Sequence, residues 1–278
     1  YIRGVQSNGI SACPKHFAAN SQETLRMASD SVVDERTFRE IYLTNYEIAV
    51  KEGKPKSIMS SYNKINGTYA NEDKRLLSDI LRDEWGFDGA VVTDWGGSND
   101  HVEGVRAGSH LEMPGTAGDS DRQLIAAVKA GVISEEAVDQ RVDELLDVIL
   151  AVAPKEQADG SFDKEAHHAL AEKVAEEAVV LLKNEGNILP LAAGAKVAVI
   201  GDFAAIPRYQ GAGSSLVNPT KLECALDVLG RVPLESVGYA QGFTRADAPD
   251  KALTEQAVTL GKQADAVLLY MGLPEISE

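Results

Sequence analysis

Cysteine is scarce in this chain of 278 residues. Only Cys13 and Cys224 are present, far apart, and neither belongs to a C-x-x-C or Cys/His cluster. That argues against a disulfide scaffold and against a structural zinc site. Long apolar runs are missing too. A membrane span needs roughly 20 mostly apolar residues, and the longest runs here are a handful, so no membrane partner is expected. Basic residues are in deficit: 27 Lys and Arg against 43 Asp and Glu give a formal net charge of −16. Such a surface repels phosphate backbones, which excludes nucleic acid as the expected partner and leaves neutral or cationic small ligands. The chain lacks an initiator Met and a signal-peptide pattern, and it stops shortly after a strand-like run. Both ends are expected to be cuts through a longer polypeptide.

The hydrophobic fraction is 44% and the charged fraction 25%, enough apolar surface to offset the entropy of ordering a folded chain. Up to about position 115, apolar strand candidates (Ser11 to Phe17, Ser57 to Tyr62, Ala90 to Trp95, Gly108 to Met113) alternate with amphipathic stretches. One stretch, Asp34 to Ala49, is expected to bury Phe38, Ile41, Tyr42, Tyr46 and Ile48. The next, Asp73 to Trp85, should bury Leu76, Leu77, Ile80 and Leu81 and stop at Gly86. Strands alternating with helices of ten to fifteen residues indicate βαβ units and a parallel sheet. Helices follow at Asp121 to Ala130 and at Glu135 to Ala153, the second capped by Ser134. The polar, breaker-rich Pro154 to Ser161 suits a linker. Beyond it come a helix at Lys164 to Lys183, strands at Lys196 to Gly201 and Asp265 to Gly272, and helices near Leu222 to Leu229 and Thr254 to Gln263 between those strands. The expected organisation is a first domain over 1–153, a linker over 154–163 and a second α/β domain over 164–278.

In the first half, polar groups repeatedly follow an apolar strand: Lys15-His16, Tyr62-Asn63, Asp94-Trp95 and Glu112-Met113. In parallel α/β architectures ligands bind at the carboxyl ends of strands. Each residue alone has a plainer explanation. Lys15 suits a solvated rim, His16 a core histidine bonded to a carbonyl, and Asp94 a cap on the turn through Gly96-Gly97. Four such clusters on one edge outweigh those explanations. An aromatic beside a carboxylate, with cationic and imidazole donors near, is the composition of a sugar subsite: the ring stacks on apolar C–H faces while hydroxyls take charged hydrogen bonds. A carboxylate there can act as nucleophile at an anomeric carbon.

The strings KHFAANSQETLRM, DERTFREIYLTNYE, SIMSSYNKINGTYA, LLSDILRDEWGFDGAVVTDWGG and AGSHLEMPG resemble the family 3 glycoside hydrolases, in particular their β-glucosidase branch. VVLLKNEGNILPL, KVAVIGDFA, QGAGSSLVNPT and ADAVLLYMGLPE resemble the domain that follows. The resemblance implies the C-terminal part of a (β/α)8 TIM-like barrel followed by the start of an α/β sandwich. It also implies a retaining, exo-acting β-glucosidase that needs no cofactor and no metal and takes a small β-glucoside or oligosaccharide. Asp94 of T-D-W matches the nucleophile. Lys15, His16 and Arg26 match groups that bind sugar hydroxyls, Met59 and Tyr62 match pocket residues, and Trp95 matches the flanking aromatic. Ser214, or its neighbour Ser215, lies in a glycine-rich loop of the second domain, which the resemblance implies reaches back toward the pocket. That loop lacks the G-x-G-x-x-G spacing and the lysine of a phosphate cradle, and KVAVIGDFA likewise lacks the fingerprint of a nicotinamide enzyme. The family's proton donor sits on a loop reading E-S-E-G-x-D-R, and the ending GLPEISE aligns Glu278 with the first glutamate, two residues before the donor. The alternatives are a β-xylosidase or other family 3 glycosidase, or a sugar-binding fragment without turnover.

Overall fold

The computed structural model describes residues 1–153, 160–246 and 248–275. Its internal contacts fall into two units, Tyr1–Asp159 and Gly160–Glu278. Most of the expected linker, 154–159, lies outside the described residues, as does Glu278.

In the first unit the strands are β1 (Asp30–Ser31), β2 (Ser57–Met59), β3 (Lys64–Ile65), β4 (Thr68–Tyr69) and β5 (Ala90–Val92). β2 and β5 are parallel neighbours, with Ser57 opposite Ala90 and Met59 opposite Val92. Single parallel bridges, Phe17 with Ser60 and Val92 with Leu111, add a segment on each side. Four segments thus lie side by side in chain order. Each pair is joined through a helix: the one over 35–53, Arg75–Glu84, then His101–Ala107. This is the crossover that parallel neighbours require. β1, β3 and β4 form a separate small sheet.

Local chemistry starts and stops these helices. Asp34 Oδ1 accepts the Thr37 N–H at 3.0 Å, and Ser134 accepts that of Ala137 as the sequence suggests, each satisfying a donor without an intrahelical partner. The 35–53 helix widens to π-type turns at Phe38–Leu43 and Ala49–Gly53. Those turns rotate its buried face. Phe38, Leu43, Tyr46 and Val50 are inside, whereas Ile41 and Ile48, expected inside, are 68% and 51% exposed. Leu76, Leu77, Ile80 and Leu81 are buried as expected, and Gly86 (φ +71°) ends their helix. Phe17 sits at the centre, its ring 5.0 Å from that of Tyr46 and 5.9 Å from that of Trp85. Each such side chain stabilises the fold by about 1.5–3 kcal/mol relative to exposure.

Two strand expectations shrink to single bridges. Along Ser11 to Phe17, Pro14 has no N–H to donate, and the ladder reduces to its carbonyl accepting from Met59 N (3.1 Å) and to Phe17, which donates to Met59 O (2.8 Å) and accepts from Ser61 N (2.9 Å). Along Gly108 to Met113, Gly108 (φ +119°) still caps the preceding helix and Pro114 follows, which leaves Leu111 to pair.

In the second unit β6 (Lys196–Ile200), β7 (Glu235–Ala240) and β8 (Ala266–Leu269) form a parallel sheet in the order β7-β6-β8. Val197, Ala198 and Val199 bury β6 almost completely. The helix Lys251–Gly261 crosses from β7 to β8, capped by Asp250 on Leu253 N at 3.0 Å. β7 was not expected from sequence. Its ESVGYA composition carries a left-handed Gly238 (φ +136°) and a bulge opposite Val197/Ala198, both of which mask a strand pattern. The helix expected to reach Lys183 stops at Ala178, where two β-branched valines follow. The sheets described are of two or three strands, and both units are mixed α/β. Among the described residues no helix is long and apolar enough to cross a membrane, and no cluster of His, Cys, Asp or Glu could hold a metal ion.

Candidate active site

The strand ends of the first unit converge on Asp94, two residues past the end of β5. Thr93 N donates to Leu111 O at 2.9 Å, and the Thr93 hydroxyl accepts from Met113 N at 2.8 Å. These bonds fix the turn that carries the aspartate. Its carboxylate is largely buried, 8% exposed for the residue. Oδ1 accepts the Trp95 N–H at 2.7 Å, and Oδ2 lies 3.2 Å from His16 Nε2. A buried carboxylate so held has one oxygen tied to backbone and the other facing imidazole, which is an orientation, not only a cap.

His16 is held from the other side. The Tyr46 hydroxyl donates to the His16 carbonyl at 2.5 Å, and Phe17 is locked into the bridge to Ser60. Burial lowers the His16 pKa, with the nearby cations Lys15 and Arg26 acting in the same sense, while Asp94 and Glu23 oppose. The imidazole is therefore biased toward its neutral form, a donor at Nε2 toward the carboxylate. Beneath the strand end, buried Ser61 donates to Ala18 O at 2.9 Å. Asn63 Nδ2 reaches the carbonyls of Ala18 and Ala19, both at 3.3 Å. These bonds satisfy the backbone of the turn after His16 where no sheet ladder can.

Tyr62 joins the cluster. Its hydroxyl donates to Trp95 O at 2.8 Å, and burial followed by the adjacent Asp94 charge raises its pKa. The Arg26 guanidinium stands 4.7 Å from the centre of the Tyr62 ring and pairs with Glu23 at 2.7 Å. The Trp95 indole is 53% exposed, an open aromatic face beside the carboxylate. Lys15 is exposed, and its charge reaches His16 electrostatically. Met59 is half-buried within β2. The arrangement can hold a polyol against an aromatic plane with a carboxylate, an imidazole and two cations around it.

Two residues singled out in the sequence stand elsewhere. Glu112 faces His101, 3.7 Å from its Nδ1, in a cavity of about 530 Å³ whose lining also includes Arg141 and Leu145. Ser214 belongs to the second unit, exposed in the turn Gly213–Ser215. Sequence reasoning missed Tyr46 and Glu23. The Glu23–Arg26 spacing of three was a legible signal for the ion pair, whereas the link from Tyr46 to the His16 carbonyl, 30 residues back, had none.

Comparison with known proteins gives two family matches. The model described as "Glycosyl hydrolase family 3 N terminal domain" covers residues 1–148, and "Glycosyl hydrolase family 3 C-terminal domain" covers 179–278. The chain is similar to a thermostable β-glucosidase B of Acetivibrio thermocellus, 43% identical over 99% of this chain and 37% of that protein. It is equally similar to an exo-α-(1→6)-L-arabinopyranosidase of Bifidobacterium longum, 43% identical over 100% of this chain and 38% of that one. Among solved structures, a family 3 β-glucosidase of Bifidobacterium adolescentis superposes with a TM-score of 0.88 at 43% identity, over 99% of this chain and 40% of that one. β-Glucosidase 3B of Thermotoga neapolitana, in complex with α-D-glucose, gives 0.80 at 37% identity, over 94% and 36%. The chain thus spans less than two fifths of the length of the curated relatives it matches.

Proposed function

The chain belongs to glycosyl hydrolase family 3, and from that premise we propose that it carries the nucleophile half of a retaining, exo-acting β-glucosidase. The observation that carries this reading is the buried Asp94 carboxylate at the end of β5, its Oδ2 3.2 Å from His16 Nε2 beside the open face of Trp95. In this reading Asp94 attacks the anomeric carbon. One C–O bond forms to the carboxylate as the glycosidic C–O bond breaks, and a carboxylic acid on the loop after β8 gives its proton to the departing oxygen. Water then cleaves the glycosyl-enzyme with the same group acting as base. Lys15, His16 and Arg26 bind hydroxyls of the sugar, whose charge-assisted bonds strengthen as the oxocarbenium character develops. Trp95, Met59 and Tyr62 shape the apolar side. Ser214, exposed in the second unit, is proposed as a substrate-binding residue on the family resemblance of its loop.

The architecture proposed is a first domain over 1–153 forming part of a TIM-like barrel, a linker over 154–163 and part of an α/β sandwich over 164–278. Support for the barrel comes from the four parallel segments in chain order, each joined to the next through a helix. The parallel sheet β7-β6-β8 supports the second.

A second reading has an observation of its own: relatives named arabinopyranosidases are as similar as a β-glucosidase. A pentopyranose lacks the hydroxymethyl group that glucose presents. The full-length enzyme should be assayed on nitrophenyl β-D-glucoside, β-D-xyloside and α-L-arabinopyranoside, as wild type and as Asp94→Asn. Glucoside preferred by kcat/KM, with turnover falling about 10⁴-fold in the variant, supports the proposal; an isosteric amide cannot attack, a loss on the order of 5 kcal/mol. Arabinopyranoside preferred moves the substrate assignment, and an unchanged rate in the variant reduces Asp94 to a turn cap.

A further inference from the structure

β6 lies between β7 and β8, so the chain leaves β6 for one neighbour and crosses back past it to the other. In open parallel sheets the crevice at such a reversal, outside the carboxyl ends, is where ligands and reactive loops gather. Here it is a cavity of about 610 Å³ lined by Phe203, Arg208, Tyr209, Met271 and Leu273 among others. Close backbone approach shapes its floor. A Cβ on Gly201, which has φ +120°, would fall 2.0 Å from the Tyr270 carbonyl oxygen, and one on Gly272 would meet the Phe203 ring at 3.4 Å.

The loop that leaves β8 along this crevice has little of its own to hold it. The ladder ends with Tyr270 N donating to Ile200 O at 2.8 Å. Beyond it Met271 and Leu273 are 73% and 69% exposed, so apolar contacts anchor the loop weakly. Arg208 spans the gap. Its Nη1 donates to the Leu273 carbonyl at 2.8 Å and to the Pro274 carbonyl at 3.3 Å. A guanidinium keeps its charge at any working pH and its planar head is pre-organised, so the two hydrogens of Nη1 hold two successive carbonyls at little cost in side-chain freedom. Its own segment is tied down separately: Gln210 Nε2 bonds the Tyr209 hydroxyl at 2.9 Å, and Val217 N donates to Gln210 Oε1 at 2.9 Å.

We propose that Arg208 is a positioning residue for proton transfer: by clamping the carbonyls of Leu273 and Pro274 it fixes the course of the loop after β8. This rests on the reading above, in which that loop carries the acid that protonates the departing oxygen. Arg208 touches neither sugar nor reacting atoms in this role. Its contribution appears only when the leaving group needs a proton.

The test compares the full-length wild type with Arg208→Ala and Arg208→Lys on two glucosides, measuring kcat/KM. Methyl β-D-glucoside needs its departing oxygen protonated; 2,4-dinitrophenyl β-D-glucoside does not. General acid assistance is worth about 10²–10⁴-fold. Arg208→Ala is expected to lose on the order of 10²-fold on the methyl glucoside and less than about threefold on the dinitrophenyl glucoside. The lysine, which keeps the charge on a more flexible side chain, should fall between, and it supplies the same reading if the alanine variant does not fold. Equal losses on both substrates would overturn the proposal, because that is what a merely structural or binding role gives. No loss on either would overturn it as well. A wild type that turns over neither glucoside would instead sink the glycosidase reading, and the clamp's role with it.

Discussion

His110 should make the first unit acid-labile, and the structure sets the size of the effect. Its imidazole is fully buried, 0% exposed, with Nδ1 accepting the Val91 N–H at 3.0 Å and Nε2 2.7 Å from Glu144 Oε2. Arg82 Nη2 lies 3.0 Å from the same Nε2, and Arg141 Nε 2.9 Å from Glu144. Accepting at Nδ1 fixes the neutral tautomer, with the hydrogen on Nε2. Burial therefore pushes the pKa down to about 4, with the bond to Glu144 opposing and the Arg82 and Arg141 charges assisting. In the unfolded chain the ring binds a proton below its ordinary value of about 6.5, whereas the folded protein refuses it until about pH 4. The stabilisation is complete above pH 6.5, falls by about 1.4 kcal/mol per unit between 6.5 and 4, and is gone below, on the order of 3 kcal/mol in all. His110→Asn removes the titration while keeping an amide oxygen near the Nδ1 position to accept from Val91; loss of the bond to Glu144 lowers stability at every pH and leaves the slope as the readout. Urea unfolding from pH 7.5 to 4.5 should show the wild type losing stability faster than the variant. Parallel curves would refute this account, showing that the ring is not held neutral. Val91 lies on β5, three residues before Asp94.

Two further outcomes follow from the same geometry. His16→Ala removes the imidazole 3.2 Å from Asp94 and should lower kcat/KM by roughly ten- to a hundredfold, the cost of one hydrogen bond to a charged group at 1.5–3 kcal/mol; glucose affinity should fall less, and a variant that unfolds while its folded fraction keeps normal kinetics would mark His16 as structural only. Gly201→Ala places a Cβ 2.0 Å from the Tyr270 carbonyl at φ +120°, so the second unit should lose more than about 1–3 kcal/mol, read as a lower melting temperature; an unchanged melting point would show that β6 and β8 can part without cost.

Much of this was legible in the residues. The run LLSDIL announced its buried face because Leu76, Leu77, Ile80 and Leu81 fall on one side at either helical period, although the helix from Arg75 to Glu84 is wound in π-type turns throughout. The 35–53 helix misled because it alternates between α-type and π-type turns, so no single period places its face and Ile41 and Ile48 came out exposed. β7 escaped because a bulge and a glycine break the alternation on which strand reading depends. At the candidate site, the order strand, charged pair, turn was readable for Asp94 and for His16, and their proximity follows from ends that share one edge with β2 lying between the two segments. The direction of Glu112, away toward His101, was not. A strand's successive side chains face opposite ways, and which way depends on a register that one bridge, Val92 with Leu111, decides.

The central claim, that Asp94 is the nucleophile, is tested most directly by trapping the glycosyl-enzyme. The full-length enzyme is incubated with 2,4-dinitrophenyl 2-deoxy-2-fluoro-β-D-glucoside, whose fluorine slows both formation and hydrolysis of the intermediate while the dinitrophenolate leaving group keeps formation fast, so that the intermediate accumulates. The protein is then digested and the modified peptide sequenced by mass spectrometry. A stoichiometric fluoroglucosyl adduct on Asp94, in the peptide containing Thr93-Asp94-Trp95, is the expected result. An adduct on a different carboxylate, or inactivation-free turnover with no adduct at all, would contradict it.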